Sequence, residues 1–546
     1  MSNQDPKMDK NYFLAIILSM LILIGYPFVL RKLGLWQTKP TASFQQNQAV
    51  SQLGNGIQKT AEAAQNTVLQ NTILKNAELP TLINERNSVY DLTFSSLGGT
   101  ITKLHYLGEP DKPEKTNNLF YEGSPERAGL FSLKLPNDDL DLSASVFKLQ
   151  SKSNGVYEFL FEKPGQYRLT KKYILDSQKP VIRLQVTFEN LTTYEKNFPI
   201  EFESGLYFEP LDRNAEAAAM TEKVIFANSG KIKKKGFNLS EKISWAGVAK
   251  KYFTILSRPD WQTISTSARV EGNTLWSILR TEPVTVSPGS KTTKEIFIYA
   301  GPLKYEYLKE YGFDPIFSQG FFGIFKIWLL LALKFLFGFV HNYGWSVILL
   351  TCVIKLLFTP LTHMSYQSMK KMQAIQPKLK SLQERYKNDP QKLQREMMEL
   401  YKRNKVNPMG GCLPMLLQIP IFISFYQVLN ETIELKGSEF IFWIHDLALP
   451  DKLATLPFSL PVIGDSFNLL PLFMIGSMIW QQKLTPQASS SPEQAQAMQL
   501  MPLIFGVMFY QMPSGLVLYW FVNNMLTIFH QLVIKRMVVV LHHEDQ

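Results

Sequence analysis

The sequence predicts a multi-domain membrane protein, with an α-helical transmembrane bundle of six spans joined to an all-β sandwich outside the cytosol. Three observations lead there. The 546-residue chain is polar in its first half and very apolar in its second, so its near-zero mean hydropathy describes neither. Residues 12–30, YFLAIILSMLILIGYPFVL, form an uncharged apolar run of spanning length, and further such runs follow beyond residue 340. Between about Asn84 and Pro302, short runs alternate apolar and polar residues between turn signals, which reads as strands.

Composition narrows the function. The net charge of +11 is concentrated in one loop described below, so it speaks to membrane topology rather than to DNA. The only cysteines, Cys352 and Cys412, lie in or beside apolar runs, which offers no disulfide framework and no zinc spacing. The seven histidines are scattered.

Taken in order, the first apolar run competes with a signal peptide. No small-residue cleavage site follows it, which favours an uncleaved anchor. Residues 37–80, rich in Gln, Asn, Ala, Ser and Thr, read as a flexible tether. In VIRLQVTFEN, Ile182, Leu184, Val186 and Phe188 take one face and Arg183, Gln185, Thr187 and Glu189 the other. Turn signals such as Gly98-Gly99 and Pro288-Gly289 separate many such runs, as in one large sandwich. No catalytic constellation is visible within it.

Residues 317–340 are long enough to span but carry Lys326 and Lys334 on roughly one side. The following loop decides between a span and a helix lying in the interface. It holds Lys370, Lys371, Lys378, Lys380 and seven further Lys or Arg residues up to Lys405, against Glu384, Asp389, Glu396 and Glu399, which places it in the cytosol. With a β domain outside the cytosol after an N-terminal anchor, residues 317–340 are expected to lie in the interface. The basic loop reads as a helical hairpin that breaks at Asn388-Asp389-Pro390, with Asp as N-cap and Pro at the first helical position. Its basic face is either merely solvated or touches headgroups, ribosomal RNA or another protein.

Between these two lies WSVILLTCVIKLLFTPL, residues 345–361, which carries Lys355 in an apolar span. A lysine near the bilayer centre costs roughly 2.5–3.5 kcal/mol. Thr351, Lys355, Thr359 and Thr362 follow at helical spacing, so one stripe of this span is expected to be wet. Snorkelling to the headgroups is the alternative, since Lys355 lies roughly 10 Å from the cytosolic end. Four more spans follow, several of them short and interrupted by Pro414, Pro420, Pro471 and Pro502. Short spans thin the bilayer locally. Gln418, Ser424, Gln427, Asn523 and Asn524 add polar groups.

The expected order is a cytosolic N-terminus (1–10), an anchor (11–31), a tether (32–83), the β domain (84–315), an interfacial helix (316–340), a second span (341–362), the cytosolic hairpin (363–412), a third span (413–433), an outer loop (434–466), a fourth span (467–484), a cytosolic loop (485–497), fifth and sixth spans (498–513 and 514–535) and a cytosolic tail (536–546).

Several long stretches carry a family resemblance. PLTHMSYQSMKKMQAIQPKLK, KVNPMGGCLPMLLQIPIFISFY, FWIHDLALPD and MPSGLVLYWFVNN resemble the YidC membrane-protein insertases across about 320–536, and WAGVAKKYF and IYAGP resemble the Gram-negative form with its large periplasmic domain. The resemblance implies a bacterial inner-membrane protein with a five-helix insertase core around a hydrophilic groove, open to cytosol and lipid and closed to the periplasm. It places Lys355 where the family usually has Arg, and puts Thr351, Gln418, Ile419, Phe422, Tyr519 and Trp520 at the groove or the substrate's exit path, with Trp520 where Tyr is common. Thr359, Thr362 and Asn524 complete the candidate groove. The implied partners are nascent membrane proteins, the Sec translocon (SecYEG and SecDF), the ribosome and targeting factors at the hairpin, and the lipid bilayer.

With no Walker A loop, no Gly-rich phosphate cradle and no metal cage in the sequence, neither cofactor nor hydrolysis is expected. The expected work is insertion of nascent membrane proteins by lowering the barrier to polar peptide. A secondary transporter would also place an ionisable group in a membrane helix, but should show repeat-related halves. An envelope-assembly scaffold would act through the β domain instead.

Overall fold

The computed structural model describes residues 80–108, 117–121, 129–208, 215–318, 322–407, 413–460, 464–485 and 492–544. The chain divides into Met1–Ala77 and Glu78–Gln546, and everything described lies in the second unit. The expected anchor and nearly all of the tether lie outside the described residues.

Strand-forming sequence from Leu82 to Pro302 builds an antiparallel sandwich. A nine-stranded sheet runs from Val224–Asn228 at one edge to Lys148–Ser153 at the other, opposed by five-stranded and four-stranded sheets. Val181–Asn190 buries Ile182, Leu184, Val186 and Phe188 and exposes Arg183, as period-two alternation demands. Phe94 packs against Tyr157, Phe159 and Tyr173 with centroids 4.5, 5.6 and 5.2 Å away. Each such ring withdrawn from water contributes about 1.5–3 kcal/mol.

One inward position breaks the apolar rule. Tyr167–Leu175 turns every second residue to the core, and the third of these is Lys171. Its Nζ donates to the Gly98 carbonyl at 2.9 Å and the Phe131 carbonyl at 2.7 Å, while Tyr173 donates to the Gly99 carbonyl at 2.7 Å. Gly98 and Gly99 sit at φ 65° and 53°, where a side chain would be strained. Two polar side chains thus hold the glycine turn that the sequence marks. Burial pushes Lys171 well below the usual lysine range.

Trp245–Lys250 is buried along its whole length, because the sheet is covered on both faces there. Val248 faces the sandwich core, whereas Trp245 and Ala249 join a second core made with the helices, and Trp245 meets Phe313 at 5.6 Å.

Among the described residues from 322 onward, seven α-helices follow: α1 (Gly323–Val340), α2 (Tyr343–Arg385), α3 (Pro390–Arg403), α4 (Leu413–Glu431), α5 (Leu470–Leu484), α6 (Pro492–Phe509) and α7 (Ser514–Glu544). Among the described residues, three helices are long and apolar enough to cross a membrane: α1, α2 and residues Ser514–Val533 of α7. In α1, length and composition meet a contrary set of contacts. Lys326, 2% exposed, is bonded to Glu431 at the end of α4 and to the Phe317 carbonyl at 3.0 Å. Two turns on, Lys334 reaches Glu306 at 2.7 Å and also pairs with Glu434. Just past α1, the Asn342 side chain donates to the Glu439 carbonyl at 3.2 Å. The start of α1 therefore meets the last residue of α4, and its middle and end meet the segment that follows. On the other side Ile324, Trp328, Phe335 and Phe339 form an exposed apolar stripe.

The structure adds detail at four of the expected boundaries. The boundary at residue 362 is no break, because α2 continues from the apolar span through Pro360 and Pro377 to Arg385. Thr359 and Thr362, on either side of Pro360, donate to the Lys355 and Phe358 carbonyls at 2.8 and 2.9 Å. The expected outer loop 434–466 contains a β-hairpin, Lys452–Leu460 with Gly464–Asn468. The fifth helix begins earlier, at Pro492, a residue suited to a first turn. The expected tail is helical to Glu544. At the tip of the hairpin, Asp389 accepts from the Lys392 amide at 3.0 Å and Pro390 takes the first turn of α3.

Candidate functional site

Lys355 lies on the flank of α2. Its neighbours Leu356 and Leu357 are 73% and 72% exposed and form an apolar outer face. Lys355 points the other way and donates to Thr527 Oγ1 of α7 at 2.6 Å. Thr527 in turn donates to the Asn523 carbonyl at 2.6 Å, so its oxygen is oriented to accept the ammonium. Thr351, Thr359 and Thr362 share the stripe, but each spends its hydroxyl hydrogen on its own helix, Thr351 on the Val347 carbonyl at 2.7 Å. Thr359 and Thr362 are half-buried and keep free lone pairs for an outside donor, whereas Thr351 is fully buried.

A second cluster lies toward Glu431 and Ser514, on α4, α6 and α7. Gln418 is hydrogen-bonded to the buried Tyr519 hydroxyl, and Phe425 packs on the Tyr519 ring at 5.0 Å. Trp520 is ringed by Phe422, Phe505 and Phe509 at 5.5, 5.5 and 5.2 Å. Its indole N–H is buried with no acceptor among the described residues. Ile419, half-buried, sits one residue from Gln418 on the same helix. The structure thus joins Gln418, Tyr519, Phe422 and Trp520 in one layer and Lys355 with Thr527 in another. Along α7 the two lie about 12 Å apart, from eight residues at 1.5 Å each.

Asn524 goes elsewhere. It is 4% exposed and donates to Ser477 of α5 at 3.0 Å, and Gln531 two turns on donates to Thr485 at 3.0 Å. These residues face α5, while Asn523, Thr527 and His530 share the adjoining face. Thr527, which sequence reasoning missed, was detectable only as the residue one turn beyond Asn523.

The segment between α4 and α5 covers the nearby helix ends. Trp345 at the start of α2 meets Phe440 at 5.6 Å. Ser514 and Gly515 at the start of α7 donate their amides to the Leu449 and Leu447 carbonyls at 2.7 and 3.0 Å. Asp451, 2% exposed, accepts from the Trp443 indole at 2.9 Å and the Leu470 amide at 2.6 Å, which caps α5. Burial pushes its carboxyl above the usual range despite these bonds. No group of three or more His, Cys, Asp or Glu able to hold a metal occurs among the described residues.

Comparison with known proteins identifies both halves. Residues 83–332 match the family described as YidC periplasmic domain, and residues 335–541 the family described as 60Kd inner membrane protein. The chain is 32% identical over 559 residues to the membrane protein insertase YidC of Pelobacter propionicus, covering 97% of this chain and 100% of that one. It is 30% identical over 547 residues to the insertase YidC of Geobacter sulfurreducens, covering 97% and 98%. A further YidC insertase, from a Geobacter species, is 41% identical over 301 residues, 54% of this chain and 53% of its own. The sandwich is accordingly the periplasmic part of an inner-membrane protein. With the two family descriptions following one another along the chain and relatives aligned over nearly their whole length, the chain belongs to the YidC family of membrane protein insertases.

Proposed function

We propose that this protein moves nascent membrane proteins from the cytosol into the inner membrane along a hydrophilic groove whose working group is Lys355. The observation that carries the reading is an ammonium in an apolar helix, flanked by exposed leucines, with a neutral hydroxyl as its partner. A lysine placed only for stability in such a helix would be expected to meet a carboxylate. A polar flank crossing hydrocarbon costs several kcal/mol per unsatisfied group. A wet recess reaching partway across the membrane removes much of that barrier. Lys355 attracts an acidic flank there, and the apolar segment then leaves for lipid, driven by burial at roughly 25 cal/mol per Å².

The aromatic layer around Trp520 and the segment tying Phe440, Leu447 and Leu449 to the helix ends close the groove on the periplasmic side in this reading. The contacts of α1 with Glu431, Glu434 and Glu439 support a helix lying along the periplasmic surface, with its Trp328 and Phe335 stripe toward lipid. The core then has five spans, with the N-terminal anchor as a sixth. The proposed partners are the nascent chain, the ribosome and targeting factors at the basic hairpin, and the Sec translocon, all drawn from the family likeness.

Protease protection of a translocated acidic tail in proteoliposomes tests this. Lys355→Ala and Lys355→Glu should impair insertion of such substrates, and Lys355→Arg should support it. Unchanged insertion with Lys355→Glu removes the charge-attraction mechanism. Deleting residues 84–300 separates insertion from a scaffold role, since insertion should survive if the helices do the work.

A further inference from the structure

Two histidines lie on the cytosolic side of Lys355, on the facing surfaces of α2 and α7. The helices run parallel here: both begin at the segment 438–451, and the Lys355–Thr527 bond joins them partway along. On α7, His530 follows Thr527 by one turn and shares its face. On α2, Lys355, Thr359, His363 and Gln367 recur at intervals of four, so His363 lies two turns below Lys355. From the Lys355–Thr527 bond, His530 lies about 4.5 Å further along α7 and His363 about 12 Å further along α2, by a rise of about 1.5 Å per residue. His363 is exposed and contacts Gln367 ring nitrogen to amide at 2.8 Å, and His530 is half-buried. Among the described residues, none of the three is ion-paired with a carboxylate.

We propose that His363 and His530 are substrate-selecting residues: with Lys355 they form three successive nitrogen donors that take up carboxylates in the translocated flank of a nascent segment, from the cytosolic mouth inward. This rests on the insertase reading of the groove. The chemistry follows from the residue types. An imidazole donates one N–H when neutral and two when charged, and it accepts an approaching carboxylate without the full desolvation cost of an ammonium. Ordered from the mouth, the exposed His363 meets the flank first, His530 next, and the half-buried Lys355 last. Thr359 and Thr362, whose lone pairs face the same stripe, accept the flank's amide N–H groups. A flank of Asp or Glu therefore finds a donor at each turn, whereas Asn or Gln gains only neutral hydrogen bonds.

The test uses the full-length protein in vesicles of phosphatidylethanolamine and phosphatidylglycerol. Its substrate is a single-spanning protein whose short tail carries either three Asp or three Asn. The measured quantity is the ratio of protease-protected Asp-tail to Asn-tail substrate. The double variant His363→Gln, His530→Gln should lower this ratio about tenfold, the effect of losing a hydrogen bond to a charged partner. His530→Lys should restore it. An equal loss for both tails assigns the histidines a structural role and overturns the inference, as does an unchanged ratio. Lys355→Glu serves as the separate arm. If that variant leaves Asp-tail insertion intact, the groove reading itself fails; if it abolishes insertion while the histidine variants keep the ratio, only the selecting role fails. As a second measurement, a cysteine in the tail of a stalled substrate, treated with an added copper–phenanthroline oxidant, should form a disulfide with His530→Cys and with His363→Cys, and its absence at both positions also counts against the inference.

Discussion

Replacing Lys171 by methionine keeps the side-chain volume in the sandwich core and removes its polar end. Two buried carbonyls, those of Gly98 and Phe131, then lose their donor at 2.9 and 2.7 Å. Leaving a buried acceptor unpaired costs about 1–3 kcal/mol, so the two together cost about 2–6. Against this stands the relief of no longer stripping water from an ammonium, which is large for a charged lysine and small for a neutral amine. Burial has pushed Lys171 well down, so the folded state favours the neutral amine, whose two N–H groups match the two carbonyls. The bonds should therefore win at alkaline pH, with a net loss of about 2–4 kcal/mol. The sign of the pH dependence follows from the lowered value. Between the folded-state value and the ordinary lysine value near 10.4, the unfolded chain binds the extra proton, so wild-type stability rises with pH and falls as pH drops through the folded-state value. The methionine variant lacks this slope. Thermal unfolding of the purified protein in detergent, followed by circular dichroism of the β signal at several pH values, should show a melting point lowered by about 5–15 °C at pH 9. A methionine variant as stable as wild type at pH 9, with the same pH slope, would refute the role given to this lysine.

Three further outcomes are expected. Lys326→Met strips Glu431 of its partner and loosens α1 from α4. With Glu431 partly exposed, the coupling in a double-mutant cycle with Glu431→Gln should be about 1–2 kcal/mol, and additivity of the two changes would deny the pair any role. Gly506→Val places a carbon where the nearest Ile475 side-chain atom is 2.2 Å away, so the Ile475 side chain must be displaced between α5 and α6, at about 1–3 kcal/mol by thermal unfolding. Asp389→Ala removes the cap of α3 and should speed hydrogen exchange at the Lys392 amide, with a helix loss of about 1 kcal/mol.

Much of the architecture was legible in the residues because local periodicity reports which side of an element is buried. Ile182 to Phe188 face the core as their alternation demands, and Asn388-Asp389-Pro390 ends one helix and starts the next. Pro360 and the switch from apolar to basic residues mark the expected end of a span, and α2 runs on past both, since a helix needs no change of direction on leaving hydrocarbon. The strands Lys452–Leu460 and Gly464–Asn468 were not legible, and Pro457 inside the first removes a ladder donor and weakens any strand signal.

By itself the sequence determined the periodic faces, the apolar runs, the basic loop and the one lysine in the apolar part of α2. These depend on neighbours within a few residues, or on the cost of putting a given side chain into hydrocarbon. Partners were decided only in three dimensions. Glu306, Glu431 and Glu434 reach the lysines of α1 from two separate parts of the chain, Thr527 meets Lys355 across 172 positions, and Asn524 turns to Ser477 instead of to the candidate groove. A helical period states which face of a helix a residue occupies. It does not state which helix lies opposite, because that depends on how all the faces pack at once.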